Sequence, residues 1–315
     1  MNWPGVEFIR VSANGISFEI ATMGSGDRLA LCLHGFPEHA ISWRNQMPLL
    51  AKLGYRVWAP NLRGYGATDS PQEISAYRTS TLVEDVAALI KVSGAKETLL
   101  IAHDWGGALA WMLAMRQPEL ISRLVIMNVP HPACFARELR KPRQLLKSWY
   151  MFFFQIPALP EFLLARHNAR IIGNIFRRST RNPSRFPEDV IKVYRDNAMR
   201  PGGLTAMLNW YRAFFQRKKV SPRPETRPPG EKFPIIKIPT LFLWGDADVA
   251  LVFRTTQGTE NYVSNLTFRV FPGISHWIQQ EAPEAVNAML EAWLSGARVP
   301  EFQELGGASA SRKST

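Results

Sequence analysis

Residues 99–107 read Leu99-Leu100-Ile101-Ala102-His103-Asp104-Trp105-Gly106-Gly107. An apolar run stops at an aspartate flanked by small residues, and a stretch of helical composition, Ala108 to Arg116, follows at once. A buried strand turning sharply into a helix is the layout of a nucleophile elbow, here with aspartate in the place usually held by serine. A simple helix-capping aspartate is the competing structural reading. At a helix N-terminus the partial positive charge favours the carboxylate. Gly106 and Gly107 let helix and strand approach closely. The exchange of serine for aspartate restricts the chemistry. A carboxylate attacking a carboxylic ester would give an anhydride, a poor intermediate. Attack on an sp³ carbon gives an ester that water can cleave. The elbow therefore points to a strained ring or a carbon–halogen bond.

Further apolar runs recur at Ile16–Ala21, Leu29–Leu33, Tyr55–Ala59, Thr98–Ala102, Arg123–Met127, Thr240–Trp244 and Thr267–Phe271. Short, nearly continuous runs suit strands buried on both faces. Their alternation with helix-like segments predicts an α/β fold with a mostly parallel sheet flanked by helices. From residue 130 to 232 the pattern turns helical, aromatic and basic, and ends in the proline-rich stretch Val220–Gly230. The economical organisation is a core of residues 1–129 and 233–298, an inserted helical cap over 130–232 with its linker, and a disordered tail over 299–315. The two cysteines, Cys32 and Cys134, give no disulfide framework and suit a reducing, cytoplasmic location. No secretory signal is visible, and no apolar stretch is long enough to span a membrane.

Two more strand ends carry chemistry. Thr240–Trp244 leads to Gly245-Asp246-Ala247-Asp248, and Thr267–Phe271 leads to Pro272-Gly273-Ile274-Ser275-His276-Trp277. These groups can converge with Asp104 on the carboxyl edge of one sheet, where ligands of open α/β sheets bind. His276 would activate water, and Asp248 would fix its tautomer. Asp246 is the competing orienter; Asp248 lies further beyond the strand end. The remaining histidines show no metal-ligand spacing, so no metal is expected. The Gly24-Ser25-Gly26 and Gly64-Tyr65-Gly66 turns lack dinucleotide-binding spacing. No cofactor is expected.

His34-Gly35-Phe36-Pro37-Glu38, His103-Asp104-Trp105-Gly106-Gly107, Tyr150 with Phe153-Phe154-Gln155, Asn209-Trp210-Tyr211-Arg212, Gly245-Asp246-Ala247-Asp248 and Gly273-Ile274-Ser275-His276-Trp277 occur in this order. Over residues 6 to 296 the chain resembles the α/β-hydrolase-fold epoxide hydrolases of the soluble and bacterial type. The resemblance implies hydrolysis of an epoxide to a vicinal diol through an ester on Asp104. It assigns His276 as base, Asp248 as its partner, and Tyr150 and Tyr211 as ring-opening acids. The loop of His34, Gly35 and Pro37 would place the Phe36 N–H in an oxyanion hole beside the Trp105 N–H. Phe36, Trp105, Trp149, Phe153 and Trp210 suggest an apolar pocket. Ala102 stands where the elbow more often has glycine, and Asn61 where related chains often have aspartate. The implied partners are a small-molecule epoxide and water, with no nucleic acid and no integral membrane association. A homodimer is compatible with the sequence.

Asp104 followed by Trp105 also suits haloalkane dehalogenases, but those usually show Asn at the position of Phe36 and lack the paired tyrosines. Fluoroacetate dehalogenases, which act on a haloacid, share His-Gly-Phe-Pro but usually have Arg in place of Trp105. A third reading comes from charge. The chain carries a formal net charge of +12. Residues 131–232 hold 21 Lys and Arg against 7 Asp and Glu, so all the excess sits there. That pattern fits non-catalytic binding of an anionic ligand, an acidic membrane surface, or a solvated helical face. No zinc-finger spacing or RNP-like motif supports nucleic acid.

Overall fold

Alternate residues of a strand face opposite ways, and this sorts the core into two layers. Leu29, Leu31 and Leu33 pack with Leu100, Ala102, Leu124, Ile126 and Phe242. Ala30 and Cys32 pack with Leu99, Ile101, Val125, Met127 and Leu241. The computed structural model describes residues 3–216 and 233–306. It contains strands β1 (Glu7–Ala13), β2 (Ile16–Met23), β3 (Arg28–Leu33), β4 (Arg56–Pro60), β5 (Glu97–His103), β6 (Arg123–Met127), β7 (Thr240–Gly245) and β8 (Leu266–Phe271). They form one sheet in the order β1-β2-β4-β3-β5-β6-β7-β8. β2 runs antiparallel to β1 and β4; every other pair is parallel. This is the expected α/β architecture.

The seven expected strands are β2 to β8. β1 went unread because it is an edge strand with mixed exposure; its Phe8 is exposed. The turn Asn14-Gly15, both at positive φ, was the available hairpin signal.

The helices are α1 (Met47–Lys52), α2 (Thr79–Ser93), α3 (Asp104–Arg116), α4 (Pro132–Leu139), α5 (Pro142–Lys147), α6 (Trp149–Phe153), α7 (Leu159–Ser179), α8 (Glu188–Met199), α9 (Gly203–Phe215), α10 (Ile278–Glu281) and α11 (Pro283–Leu294). α2 and α3 cover one sheet face with Val83, Val86, Leu109 and Leu113. α1 and α11 cover the other with Met47, Leu50, Val286 and Met289. Between β6 and β7 the chain leaves the sheet for α4 to α9, with no strand among the described residues. α7 is two helical pieces joined at a break, where His167, Asn168 and Ala169 take left-handed φ. The proline-rich stretch Val220–Gly230 lies outside the described residues, as do residues 307–315. Residues 299–306 depart from the expected disorder: Phe302–Leu305 form a 3-10 helix closed by a capping box, and Phe302 packs on Phe271 with ring centroids 4.9 Å apart. Among the described residues no helix is long and apolar enough to cross a membrane.

Strand register brings the chemistry to one edge. His103 pairs with Met127, Met127 with Leu243, and Gly245 with Phe271. The residues just beyond β5, β6, β7 and β8 therefore emerge at one level.

Candidate active site

Asp104 is the first residue of α3 and takes φ +49, a conformation rare for a side chain with Cβ. The turn is held from both sides. The Gly106 N–H donates to the His34 carbonyl at 3.1 Å. A Cβ on Gly106 would come within 2.5 Å of the Leu33 carbonyl, so only glycine lets α3 pack this close to β3. A Cβ on Gly35 would sit 2.2 Å from Asp104 Oδ1. Glycine there leaves the carboxylate its place, and the Phe36 N–H donates to Oδ1 at 2.8 Å.

Asp104 Oδ2 faces His276 Nε2 at 3.5 Å. On the other side of the ring, His276 Nδ1 donates to Asp248 Oδ2 at 2.6 Å. Asp248 is buried and fully engaged: Oδ1 accepts from the Ala250 and Leu251 N–H groups at 2.7 and 2.9 Å, and Oδ2 also from Asn128 Nδ2 at 2.8 Å. Asp246 is elsewhere. Its Oδ1 accepts from the Gly273 N–H at 2.6 Å, bracing the loop that carries His276. Of the two carboxylates the sequence left open, Asp248 is the one that meets the imidazole.

Burial would raise the Asp104 carboxyl, but His276, through its hydrogen bond and charge, and the Phe36 N–H hold it below the usual range. Burial likewise opposes charge on Asp248, and His276, Asn128 and the Leu251 N–H overcome it. Burial opposes charge on His276 too, yet the two flanking carboxylates push it up to about 10. The free site thus holds an imidazolium between two carboxylates.

Tyr150 on α6 and Tyr211 on α9 meet edge to face, ring centroids 5.8 Å apart. Tyr211 also packs against Phe36 at 5.2 Å and Trp105 at 5.1 Å, which places it over the elbow. Burial raises both phenols above their ordinary value; Asp104 adds to this at Tyr150, and Tyr150 and Asp104 at Tyr211. Both are neutral hydroxyls at physiological pH. The residues around Tyr211 hold α9 in place. Asn209 donates to the Gln72 carbonyl at 3.0 Å, and Trp210 Nε1 to the Arg63 carbonyl at 3.1 Å. Arg212 grips Glu161 through two nitrogens at 2.6 and 3.0 Å and donates to the Phe154 carbonyl at 3.0 Å. This Arg212 clamp ties α9 to the turn after α6, and so ties one tyrosine to the other.

Two expected pocket residues are not among those brought together. Trp149 is 62% exposed. Adjacent helix positions point about 100° apart, so turning Tyr150 inward turns Trp149 out. Trp210 is buried behind Trp105, ring centroids 5.7 Å apart, with its N–H committed to Arg63. Phe36, Trp105 and Phe153 remain near the tyrosines, Phe153 through Phe154 at 6.0 Å. His34 donates through Nδ1 to the Gly35 carbonyl at 2.9 Å and accepts at Nε2 from the Leu62 N–H at 3.1 Å. Those bonds require a neutral ring, and burial pulls its pKa down to about 4. The ring braces the loop of Gly35 and Pro37.

Beneath the site lies a buried network that motif reading did not assign. Glu38 Oε2 accepts from the Gly35 N–H at 2.9 Å and from His103 Nδ1 at 2.7 Å. Its Oε1 accepts from Gln279 and Gln280 at 3.0 and 2.9 Å. His103 Nε2 lies 2.8 Å from the His276 carbonyl. Glu38 thereby joins the loop after β3, the elbow, and the segment that carries His276. Asn128 was also missed; it follows β6 at φ +43 and binds both Asp248 and the backbone of Gly245. The signal was polar residues placed directly after apolar strands, but their partners lie far off in sequence.

Fold and site together define a class: an aspartate elbow, a histidine and a second carboxylate at the carboxyl edge of a mostly parallel sheet. A profile of the alpha/beta hydrolase fold matches residues 31–283, and the chain belongs to that family. An AB hydrolase superfamily protein of Bacillus subtilis, YfhM, is 36% identical over 292 residues, covering 92% of this chain and 98% of that protein. Human epoxide hydrolase 4 is 34% identical over 294 residues, covering 91% of this chain and 78% of that protein. An epoxide hydrolase of Bacillus megaterium, solved with an inhibitor, superposes with a TM-score of 0.80 at 28% identity, over 91% of this chain and all of that one. Within the family the chain groups with the epoxide hydrolases, and it is a hydrolase.

Proposed function

We propose that this protein hydrolyses an epoxide to a vicinal diol through an ester on Asp104. The observation that carries the reading is the pair of neutral phenols, Tyr150 and Tyr211, packed 5.8 Å apart over the elbow. Asp104 Oδ1 is occupied by the Phe36 N–H, so Oδ2 attacks a ring carbon. As the C–O bond breaks, a tyrosine hydroxyl gives its proton to the departing oxygen. Oδ1 becomes the ester carbonyl oxygen, already beside an oxyanion donor; the Trp105 N–H is the second.

The electrostatics then reverse. Esterification removes one of the two charges that hold His276 protonated. Its proton is released, which balances the proton that the tyrosinate takes back. Neutral His276, oriented by Asp248, accepts a proton from water as that water attacks Asp104 Cγ. Collapse of the tetrahedral intermediate returns that proton to the departing alkoxide and frees the diol, leaving Asp104 as the carboxylic acid; its proton then passes to His276, which restores both the carboxylate and the imidazolium. The segment 130–232, helical over α4 to α9, serves as the cap that carries the two acids. Phe36, Trp105 and Phe153 give the pocket an apolar wall, and no cofactor enters the scheme.

The test presents purified protein with styrene oxide and, separately, 1-bromobutane. Diol without bromide, abolished by Asp104→Ala, is the expected result. After styrene oxide, His276→Gln should carry a covalent adduct on Asp104 by mass spectrometry. Bromide without diol would instead assign the site to dehalogenation and leave the tyrosines a packing role.

A further inference from the structure

The positive charge of the α4–α9 excursion takes no part in the chemistry above. It is densest over residues 139–186, where ten Lys and Arg stand against a single acid, Glu161. That acid is held by Arg212. Among the described residues no ion pair engages Arg140, Arg143, Arg166 or Arg170.

The same segment exposes large apolar side chains. Leu146 is 73% exposed and Phe162 64%; Trp149, Phe152 and Ile156 are exposed between them. Contacts link much of this ridge. Phe152 meets Phe215 at 5.3 Å, Phe215 meets Phe214 at 5.3 Å, and Phe214 meets Trp105 at 6.0 Å. Arg212 joins the Ile156 carbonyl to Glu161, the neighbour of Phe162. The Arg166 guanidinium stands over the Phe162 ring at 5.9 Å. From Phe152 to Trp105 the apolar bodies form one connected surface that runs back to the edge of the catalytic site, Arg166 sets a cationic head on Phe162, and Leu146 and Arg143 are exposed together on α5 just before it.

We infer that this ridge docks the enzyme on a lipid bilayer carrying anionic headgroups. Aliphatic and aromatic side chains enter the headgroup boundary, and the arginine and lysine heads meet the phosphates. Charge selects this occupant. A second copy of the chain, packed across a twofold axis, would set the same basic residues against themselves. A nucleic acid would engage the charges and leave the apolar ridge in water. Docked this way, the Phe214–Trp105 contact lies on the route from the bilayer to Asp104, a short path for an apolar substrate dissolved in lipid.

Co-sedimentation of the full chain with vesicles tests the inference, using phosphatidylcholine alone or mixed with phosphatidylserine. Binding to the mixed vesicles only, reversed by high salt, is expected. Arg143→Gln with Arg166→Gln removes two exposed cations and should weaken binding about twentyfold or more. Leu146→Ser with Phe162→Ser should weaken it about tenfold or more. Turnover of a water-soluble epoxide should be unchanged in both double variants, which shows that they fold. Failure to sediment with mixed vesicles would overturn the inference. So would binding that is indifferent to the apolar pair, or a wild-type dimer that the apolar pair converts to monomer. Salt-sensitive binding to a polynucleotide, unaffected by the apolar pair and stronger than binding to mixed vesicles, would reassign the charge to nucleic acid.

Discussion

Asp248→Asn changes one oxygen to an amide nitrogen and keeps the side chain's shape. The amide oxygen will stay where Oδ1 now accepts two backbone N–H groups, from Ala250 at 2.7 Å and Leu251 at 2.9 Å. The new NH₂ then occupies the place of Oδ2, facing Asn128 Nδ2 at 2.8 Å and His276 Nδ1 at 2.6 Å. A donor meets two donors. His276 can accept from the amide only by carrying its proton on Nε2, the nitrogen that must take water's proton. The same exchange in a serine–histidine–aspartate site costs about 10⁴ in turnover, or about 5.4 kcal/mol of barrier. The unmatched pair with Asn128 costs a further 1–3 kcal/mol of stability, roughly. Ring opening does not use His276 as a base and keeps most of its rate. The variant should therefore open one equivalent of epoxide rapidly and then stall, with one hydroxyalkyl ester per chain. Rapid-quench sampling with intact-mass detection reads both phases. Asp246→Asn, whose carboxylate only holds the Gly273 N–H, should turn over normally. A stalled Asp246 variant beside a normal Asp248 variant would refute the assignment, and so would an Asp248 variant that is slow without accumulating ester.

Three other outcomes follow from the same geometry. Tyr150→Phe and Tyr211→Phe should each slow ring opening, and the double variant should lose about 10²–10⁴ in single-turnover rate; full activity in the double variant would remove the acids from the scheme. Glu38→Gln points an amide N–H₂ at donors that now converge on a buried carboxylate, so a loss of roughly 2–4 kcal/mol in denaturant unfolding is expected. His276 rises from its ordinary 6.5 to about 10 on folding. A raised pKa stabilises the fold fully below the unfolded value, and that share is lost as pH rises through the folded one. Tm should therefore fall between about pH 7 and pH 10, more steeply in wild type than in His276→Gln; equal slopes would mean that the charge on His276 contributes nothing to the fold.

The candidate set was legible because each member follows an apolar run, and parallel topology sends all such ends to one edge. Asp104 and His276 needed only that rule, which left Asp246 and Asp248 both open. What the sequence hid depends on direction and distance. The choice between Asp246 and Asp248 turned on which carboxylate bends back over β6 to Asn128. Trp149 and Trp210 look like pocket residues in a string of aromatics, yet one helix turn decides which ring faces Asp104. Glu38 and His103 sit in plain view inside motifs, but their pairing exists only because β3 and β5 are neighbours. β1 was hidden by exposure, since a half-wet edge strand lacks a continuous apolar run.

Met127 and Leu243 are paired neighbours in the sheet, although 112 residues separate the end of β6 from the start of β7. Because the two strands run parallel and Thr240 lies level with Leu124, the whole excursion is a loop whose two ends, Met127 and Thr240, are pinned about 11 Å apart. The entropy of closing such a loop grows only with the logarithm of its length, about 0.6 kcal/mol for each doubling. A graft of another length is therefore nearly free for the sheet to accept, as long as it returns to the same two strands and restores the contacts over the elbow. In the proposed scheme the two halves of the reaction are therefore separable inheritances: the carboxyl edge supplies the nucleophile and the water chemistry, and whatever excursion is returned to it supplies the ring-opening acids and decides what reaches them.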